Sequence, residues 1–574
     1  MNYKDRYNSW IEDQYIDEDT KKELGDLKDN EAEIEDRFYK DLEFGTAGLR
    51  GKLGAGTNRM NVYNISKVTQ GLADYIKSRG QDYVKRGVAI AYDCRHFSSE
   101  FAKTASLVLA GNGIKAFLFE SLRPTPELSF AVRTLGTAAG IVVTASHNPR
   151  EYNGYKVYFE DGAQILSEMA DSIVENIEQI KSFNMVKTIT EDEALNKGLL
   201  NYLGKEMDDM YVSMVKDLSI RDDVDKSIKI VYTPLNGTGN ILVRRVLKER
   251  GFTNIIVVPE QECPDPDFTT VGYPNPEDTK AFKYAEALGK KEGAELLIAT
   301  DPDCDRLAIE VRDHNGEYVA FTGNQTGAIL IKYILEGLKA KNKLPKNGAI
   351  VKSIVTGDLG KRIAMDYGVK TYEALTGFKN ICGKIPEFEK TGEAEFIFGY
   401  EESIGYVTGT KVRDKDGVSS SMLLCEAAAY YKSQGKTLIQ VLDEVYSEYG
   451  YYREKQISLV LEGVEGKARI ERMMVQYRDN FIKEFNGAKL EKYTDFNEGT
   501  TFNIATGEKE NAGIPKSDVL KFIFDDKSWY ALRPSGTEPK IKLYIYTIDE
   551  NLEKADRKIK DIETLVLEKL DKVK

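Results

Sequence analysis

Short apolar runs that end in Gly, Asp, Ser or Thr recur from about residue 45 onward, with amphipathic segments between them. Gly87-Val-Ala-Ile-Ala-Tyr92 runs into Asp93, Ile141-Val-Val143 into Thr144-Ala-Ser146, and Leu296-Leu-Ile-Ala-Thr300 into Asp301. Ile228-Lys-Ile-Val-Tyr232 and Ala349-Ile-Val-Lys-Ser-Ile-Val355 precede Asn236-Gly-Thr-Gly239 and Thr356-Gly-Asp358 in the same way. This alternation restricts the chain to α/β layering, and 574 residues are too many for one core. Polar groups at the carboxyl ends of parallel strands are where such sheets place ligands. The pattern changes late in the chain. Trp529-Tyr-Ala-Leu532 and Ile541-Lys-Leu-Tyr-Ile-Tyr546 read as antiparallel strands. Leu552, Ala555, Ile559, Ile562, Val566 and Leu570 then share one helical face, which predicts a closing α+β domain. Residues 1 to about 40 are charged and mostly helix-like, and 445 to 453 read as a helix end and linker.

The run Asp301-Pro-Asp303-Cys-Asp305-Arg306 is the most informative chemically. On a straight strand, residues two apart share a face but stand about 6.5 Å apart. Three carboxylates closing on one cation therefore need the chain to curl, which Pro302 and a strand exit permit. Oxygen ligands without His or Cys suit Mg²⁺, Mn²⁺ or Ca²⁺. An EF-hand is excluded, because Arg306 and Arg312 stand where its loop needs Gly and Glu. Arg306 suits a phosphate or carboxylate as a planar fork.

Composition narrows the function further. A net charge of −13 argues against a general nucleic-acid binder, so cations for an anionic substrate must be gathered locally. The five cysteines form no CxxC pair, which fits a reducing cytosol and neither a disulfide framework nor a zinc site. Only three His exist, which excludes a His-rich catalytic metal centre. No secretory signal and no membrane-length apolar run is visible.

Four further segments carry chemistry. Thr144-Ala-Ser-His-Asn-Pro149 puts Ser146 at a strand exit as a nucleophile or phosphate carrier, with His147 as a hydrogen-bond donor. Lys156 follows ten residues later and can return toward the serine. Arg533-Pro-Ser-Gly-Thr-Glu-Pro539 reads as a phosphate nest, with Ser535, Gly536 and Thr537 supplying hydroxyls and backbone N–H groups. Phe398-Gly-Tyr-Glu-Glu-Ser-Ile-Gly405 offers carboxylates to paired hydroxyls, as a sugar requires. Gly45-Thr-Ala-Gly-Leu-Arg50-Gly-Lys52 is a glycine-rich, cationic loop that fits a phosphate better than a dinucleotide.

Together these motifs, in this order from about 43 to 545, resemble the α-D-phosphohexomutases, which include phosphoglucomutase and phosphomannomutase. The N-terminal stretch, Thr376-Gly-Phe-Lys379 and the form Gly-Tyr-Glu-Glu-Ser look like the bacterial phosphoglucomutase and phosphopentomutase-type branch. The resemblance implies a heart-shaped, four-domain α/β architecture, three related α/β domains followed by a TATA-binding-protein-like α+β domain. The borders expected are 1–205, 206–311, 312–453 and 454–574. It implies Ser146 as the phosphoserine, Mg²⁺ held by Asp301, Asp303, Asp305 and the phosphate on Ser146, and Arg306 facing that phosphate. Lys156 would transfer the proton, assisted by Arg50 and His147. Glu401 and Ser403 would take sugar hydroxyls, Lys379 would help choose the sugar, and Arg533, Ser535, Gly536 and Thr537 would hold the distal phosphate. The implied reaction interconverts α-D-glucose 1-phosphate and glucose 6-phosphate through glucose 1,6-bisphosphate in the cytoplasm. Partners would be sugar phosphates, with neither nucleic acid nor membrane, and the protein a monomer or small homo-oligomer. Phosphopentomutase and phosphomannomutase activity are the alternatives, ahead of a serine phosphatase or a non-catalytic sugar-phosphate sensor.

Overall fold

The structure, a computed structural model, describes every residue except Met1, Thr46, Ala47, Glu462 and 536–538, with the side chain of Val464 also left out. The chain forms two compact units, Met1–Thr326 with Cys382–Gly435, and Gly327–Ile381 with Lys436–Lys574.

The first unit opens with helices Tyr3–Glu12, Glu18–Asp26 and Glu31–Phe38, capped by the side chains of Asn2, Asp17 and Asn30. Such caps satisfy amide groups that a short helix leaves unpaired. The three helices bury Trp10, Ile16, Leu24, Ile34 and Phe38 together with Ala55 from the following loop. A six-stranded sheet comes next, in the order Leu49–Lys52, Tyr152–Phe159, Ala139–Val143, Val88–Tyr92, Ala116–Phe119, Leu200–Leu203. Its last four strands are parallel and the first two antiparallel to their neighbours. The central strands Val88–Tyr92 and Ala139–Val143 read as unbroken apolar runs because helices cover both faces of such sheets. Their pairing sets Tyr92 opposite Val143, so Asp93 and Thr144 leave the sheet side by side.

A second sheet runs in the order Tyr318–Phe321, Leu307–Arg312, Leu296–Thr300, Ile230–Thr233, Ile255–Val257. Leu296–Thr300 is buried throughout and delivers the chain into Asp301, as its apolar composition predicts. The hairpin Leu307–Arg312 with Tyr318–Phe321 extends this sheet to residue 321. The unit also contains the hairpin Glu395–Glu401 with Gly405–Thr408.

Glu310 lies on Leu307–Arg312 with 2% of its surface exposed, and one of its carboxyl oxygens accepts no hydrogen bond. Burial, with Glu286 beside it, pushes its pKa up to about 8. The native state therefore keeps a proton that the unfolded chain loses near pH ~4.3. Stability contributed here falls as pH rises from about 4 to about 8, then levels off. Glu310→Gln removes this slope, so it should raise the thermal midpoint more at pH 8 than at pH 5. Equal shifts at both pH values would show that Glu310 is ionised throughout.

In the second unit, Gly348–Ser353 and Lys370–Ala374 pair in parallel. The C-terminal domain is an antiparallel sheet in the order Tyr451–Val460, Lys540–Asp549, Trp529–Pro534, Leu520–Phe524, Ala488–Asp495, Thr500–Asn503, Lys509–Asn511. Helices Gly463–Asp479 and Leu552–Asp571 share one apolar core with it. The second of these helices buries Ala555, Ile559, Ile562, Val566 and Leu570, the face that the sequence marks out, while Leu552 at its first turn is only half-buried. The linker expected over 445–453 is absent. Helix Leu438–Tyr449 ends at Gly450, and Tyr451 at once begins a ten-residue strand. That strand lies at the sheet edge, and the polar run at 453–456 interrupts the two-residue hydrophobic period that Ile457 and Leu459 keep against the core.

Candidate active site

Ser146 occupies a left-handed backbone conformation, φ +53°. For a non-glycine residue this costs about 1–3 kcal/mol and persists only where neighbours impose it. Here the neighbours are identifiable. The Ser146 amide donates to Thr144 Oγ1 at 2.8 Å, and that hydroxyl donates to Asp93 Oδ2 at 2.6 Å. Asp93 is ion-paired with Arg95, Nε to Oδ2 3.2 Å. Arg95 in turn donates to the carbonyls of Ser146 and Asn148, both at 2.5 Å, and of Pro149 at 2.9 Å. The buried Asp93–Arg95 pair thus fixes the serine loop by its backbone.

The hydroxyl so presented donates to Asp301 Oδ2 at 2.9 Å. His147 Nδ1 is 3.1 Å from Ser146 Oγ. Burial, reinforced by Arg306 and Arg50, pushes the His147 pKa well below its ordinary value. The imidazole is therefore neutral. A hydroxyl has one proton, and giving it to Asp301 leaves Nδ1 as the donor to Oγ.

Asp301, Asp303 and Asp305 are all buried, with one carboxylate oxygen from each lying within 4.8 Å of the others. Cys304, φ +53°, supplies the curl that brings i, i+2 and i+4 together. Backbone contacts hold that curl in place. Thr125 N donates to the Asp303 carbonyl at 3.0 Å, Thr238 N to that of Pro302 at 2.8 Å, and Gly417 N to that of Cys304 at 3.1 Å. A Cβ at Gly237 would stand 2.4 Å from Pro302 Cα, so glycine is required there.

Each carboxylate has a different environment. Asp301 Oδ1 accepts the amides of Asp305 and Arg306, at 3.1 and 3.0 Å. Burial and the neighbouring Asp303 and Asp305 charges raise its pKa well above the ordinary carboxylate range. Asp303 Oδ2 accepts Lys156 Nζ at 2.9 Å and Thr125 Oγ1 at 3.0 Å. Burial pushes Asp303 up, but Lys156 outweighs it and holds the carboxyl below its usual range. Asp305 Oδ2 lies 3.0 Å from Lys415 Nζ, and burial with Asp303 raises its pKa. Asp303 Oδ1 and Asp305 Oδ1 are buried and accept no hydrogen bond. Buried carboxylate oxygens left this way are costly, and a hard cation satisfies them. The donor set fits a divalent oxygen-seeking ion.

The surrounding side chains come from the same unit. Lys156, on Tyr152–Phe159, is buried, 6% exposed. Arg50, on Leu49–Lys52, pairs with Gly154 on that neighbouring strand, and its charge acts on His147. Arg306 Nη1 is 3.2 Å from Glu277, and Arg306 pairs in a backbone bridge with Gly405. That bridge brings the hairpin turn carrying Glu401 and Ser403 beside the aspartate loop. Glu401 is buried at the end of its strand and Ser403 half-buried in the turn. Ile404, φ +55°, closes the turn. A Cβ at Gly323 would lie 2.0 Å from the Glu402 carbonyl, which shows how closely the turn is packed.

Lys379, Arg533 and Ser535 belong to the second unit. Lys379 is half-buried on the short helix Phe378–Cys382, and burial lowers its pKa. Arg533 pairs with Lys542 across the sheet, and Ser535 N donates to the Lys540 carbonyl at 2.8 Å. Gly536 and Thr537 lie outside the described residues.

Reading the sequence missed Arg95, Thr125 and Lys415. The run Asp93-Cys-Arg95 after a buried strand is a visible signal for the first, and the charged quartet Arg413-Asp-Lys-Asp416 before an apolar helix for the third. Burial pushes the Lys415 pKa down, but Asp305 and Asp414 outweigh it and raise it, so the ammonium stays charged.

An α/β protein with a serine held against a buried three-aspartate cluster and ringed by Lys and Arg has the groups that phosphoryl transfer needs. The chain matches the phosphoglucomutase/phosphomannomutase alpha/beta/alpha domain I over residues 41–184, domain II over 209–316 and domain III over 322–449. It is 39% identical over 527 residues to a phosphoglucomutase of Staphylococcus haemolyticus, covering 92% of this chain and 94% of the relative. With a phosphoglucomutase of Staphylococcus epidermidis it shares 38% identity over 557 residues, covering 96% and 99%. The parafusin phosphoglucomutase of Paramecium has the same fold, TM-score 0.68 at 18% identity over 93% of this chain and 95% of that one. The chain belongs to the phosphoglucomutase/phosphomannomutase family, the α-D-phosphohexomutases, and is an isomerase that moves a phosphoryl group.

Proposed function

We propose that this enzyme is a phosphoglucomutase, interconverting α-D-glucose 1-phosphate and glucose 6-phosphate through a phosphoester of Ser146. One observation carries the reading: the Ser146 hydroxyl, held in a strained conformation, donates at 2.9 Å to the buried aspartate cluster. The relatives named phosphoglucomutase, alike over more than nine-tenths of the chain, support the choice of sugar.

In the cycle, phosphorylated Ser146 gives its phosphoryl group to the free hydroxyl of the sugar monophosphate. Lys156, ion-paired with Asp303 at rest, gives a proton to the departing Ser146 oxygen and takes up the one that the sugar hydroxyl releases, with Arg50 and neutral His147 steadying the oxygens around the transferring phosphorus. Ser146 then receives the other phosphate of the resulting glucose 1,6-bisphosphate, and the isomeric monophosphate leaves. Asp301, Asp303 and Asp305, with the phosphate on Ser146, would hold Mg²⁺, which supplies charge compensation for the transferring group. Arg306 binds the same phosphate. Glu401 and Ser403 take sugar hydroxyls. The roles of Lys379 in sugar choice, and of Arg533, Ser535, Gly536 and Thr537 on the non-reacting phosphate, are supported by their motifs alone. The four-part domain division, 1–205, 206–311, 312–453 and 454–574, belongs to this reading.

Glucose 1,6-bisphosphate lost from the site would leave Ser146 unphosphorylated, so added bisphosphate should restore activity. All five cysteines are free, and among the described residues no helix is long and apolar enough to cross a membrane. The free cysteines fit the reducing cytosol in which this reading places the enzyme, acting on sugar phosphates as a monomer or small homo-oligomer. Side-by-side rates on glucose 1-phosphate, mannose 1-phosphate and ribose 1-phosphate test the choice. Glucose 1-phosphate should give the highest specificity constant, whereas a higher value for ribose 1-phosphate would make this a phosphopentomutase. Glu401→Gln should change the ratios among the three, since a charge-assisted hydrogen bond contributes about 1.5–3 kcal/mol.

A further inference from the structure

We propose that the N-terminal helices are a positioning element for Arg50, acting through a clamp of Arg37 and Glu23 on the loop that follows it. This rests on the role given to Arg50 in the proposed function. The strand Leu49–Lys52 is short, and the chain returns along it: Met60 N donates to the Lys52 carbonyl at 2.8 Å and Gly54 N to the Met60 carbonyl at 3.2 Å. All four residues are paired on one side by Tyr152–Phe159, and the segment 53–60 continues directly from them, so a shift of that segment is carried along the backbone to Arg50.

The N-terminal segment holds that stretch at Ala55, Thr57, Asn58 and Arg59. Arg37 Nη1 donates to the Ala55 carbonyl and Glu23 Oε1 accepts the Ala55 amide, both at 3.1 Å. Arg37 and Glu23 are themselves 2.5 Å apart, and Arg37 Nε lies 2.9 Å from Glu33. Beyond Ala55, Thr57 Oγ1 donates to the Lys40 carbonyl at 2.7 Å and Asn58 N to that of Arg37 at 2.9 Å. Arg59, 4% exposed, closes the segment on Asp36 at 2.6 Å.

Glycine makes room for this grip. Gly54 and Gly56 have φ +137° and +130°, where a side chain is strained. A Cβ at Gly54 would stand 3.1 Å from Arg37 Nη1, and one at Gly56 2.8 Å from the Arg37 carbonyl. Ala55 between them is buried in the core of the N-terminal helices. On its other side, Arg50 pairs with Gly154, whose carbonyl accepts the amide of Thr144 in the serine loop at 3.1 Å. The helices therefore connect by backbone hydrogen bonds to the strand that presents Arg50 and onward to Ser146.

A double-mutant cycle tests this. Arg37→Ala should lower kcat/KM about 10- to 100-fold, the scale of a catalytic group displaced by about an ångström. Arg37→Lys should fall between, because an ammonium keeps the charge but not the fork that reaches Ala55, Glu23 and Glu33 together. In an Arg50→Ala background, Arg37→Ala should cost nothing further, since a lost side chain cannot be displaced. If Arg37→Ala does not fold, Glu23→Ala, at a half-exposed position, takes its place in the same cycle. Losses that multiply in the double variant would overturn the clamp while leaving the role of Arg50 standing. Full activity of Arg50→Ala would overturn that role, and the clamp with it.

Discussion

Ser146→Ala is expected to lower turnover by about 10⁵- to 10⁶-fold, the scale on which an enzyme loses activity when its serine nucleophile is removed. The substitution deletes the one atom that can carry the phosphoryl group and spares what holds the loop. Arg95 still donates to the carbonyls of residues 146, 148 and 149, and the 146 amide still donates to Thr144. Folding should therefore survive, and a melting curve close to wild type will separate lost chemistry from lost structure. Intact-mass analysis after treatment with glucose 1,6-bisphosphate supplies the second readout. The wild type should gain one phosphate on the peptide containing residue 146, and the variant none. Label on another serine, or a variant that keeps a hundredth of the activity, would end the assignment.

Asp303→Asn should lower kcat by at least about 100-fold and raise the Mg²⁺ concentration for half-activity at least about 10-fold. Losing a partner outside the ligand shell already costs 10- to 100-fold in many metal sites, and here a ligand loses its charge. Asp303 does two things at once. Oδ1 is unsatisfied and buried, while Oδ2 accepts Lys156 and Thr125. Asparagine keeps the shape but leaves the buried Lys156 ammonium without its counter-charge. Melting curves with and without Mg²⁺ separate the two effects. The ion should raise the wild-type midpoint by binding the native state and leave the variant nearly unmoved. A variant with wild-type turnover and an unchanged Mg²⁺ midpoint would remove the metal role from this loop.

The parts of the site that are contiguous in the chain were legible without a structure. A run such as Leu296–Thr300 is a buried strand on composition alone, and Asp301, Asp303 and Asp305 follow it at spacings that suit one small ion. The tail helix was equally legible, because burial against a single sheet imposes a regular apolar face. The edge strand Tyr451–Val460 was not, since the polar run at 453–456 breaks the alternation that Ile457 and Leu459 keep against the core.

What no local pattern could supply is convergence. Lys156 meets Asp303 across 147 residues, Thr125 meets it across 178, and Asp93 reaches Thr144 across 51. The amino-acid sequence by itself set which groups could do phosphoryl chemistry and which strand exits would display them, because residue type and hydrophobic period act over a few neighbours. The tertiary structure alone decided which carboxylate oxygens stay unsatisfied, which lysine neutralises Asp303, and that residues 1–40 grip the loop behind Arg50. Those are outcomes of burial and of strand order, and both depend on pairings between distant segments that exist only once the sheets have formed.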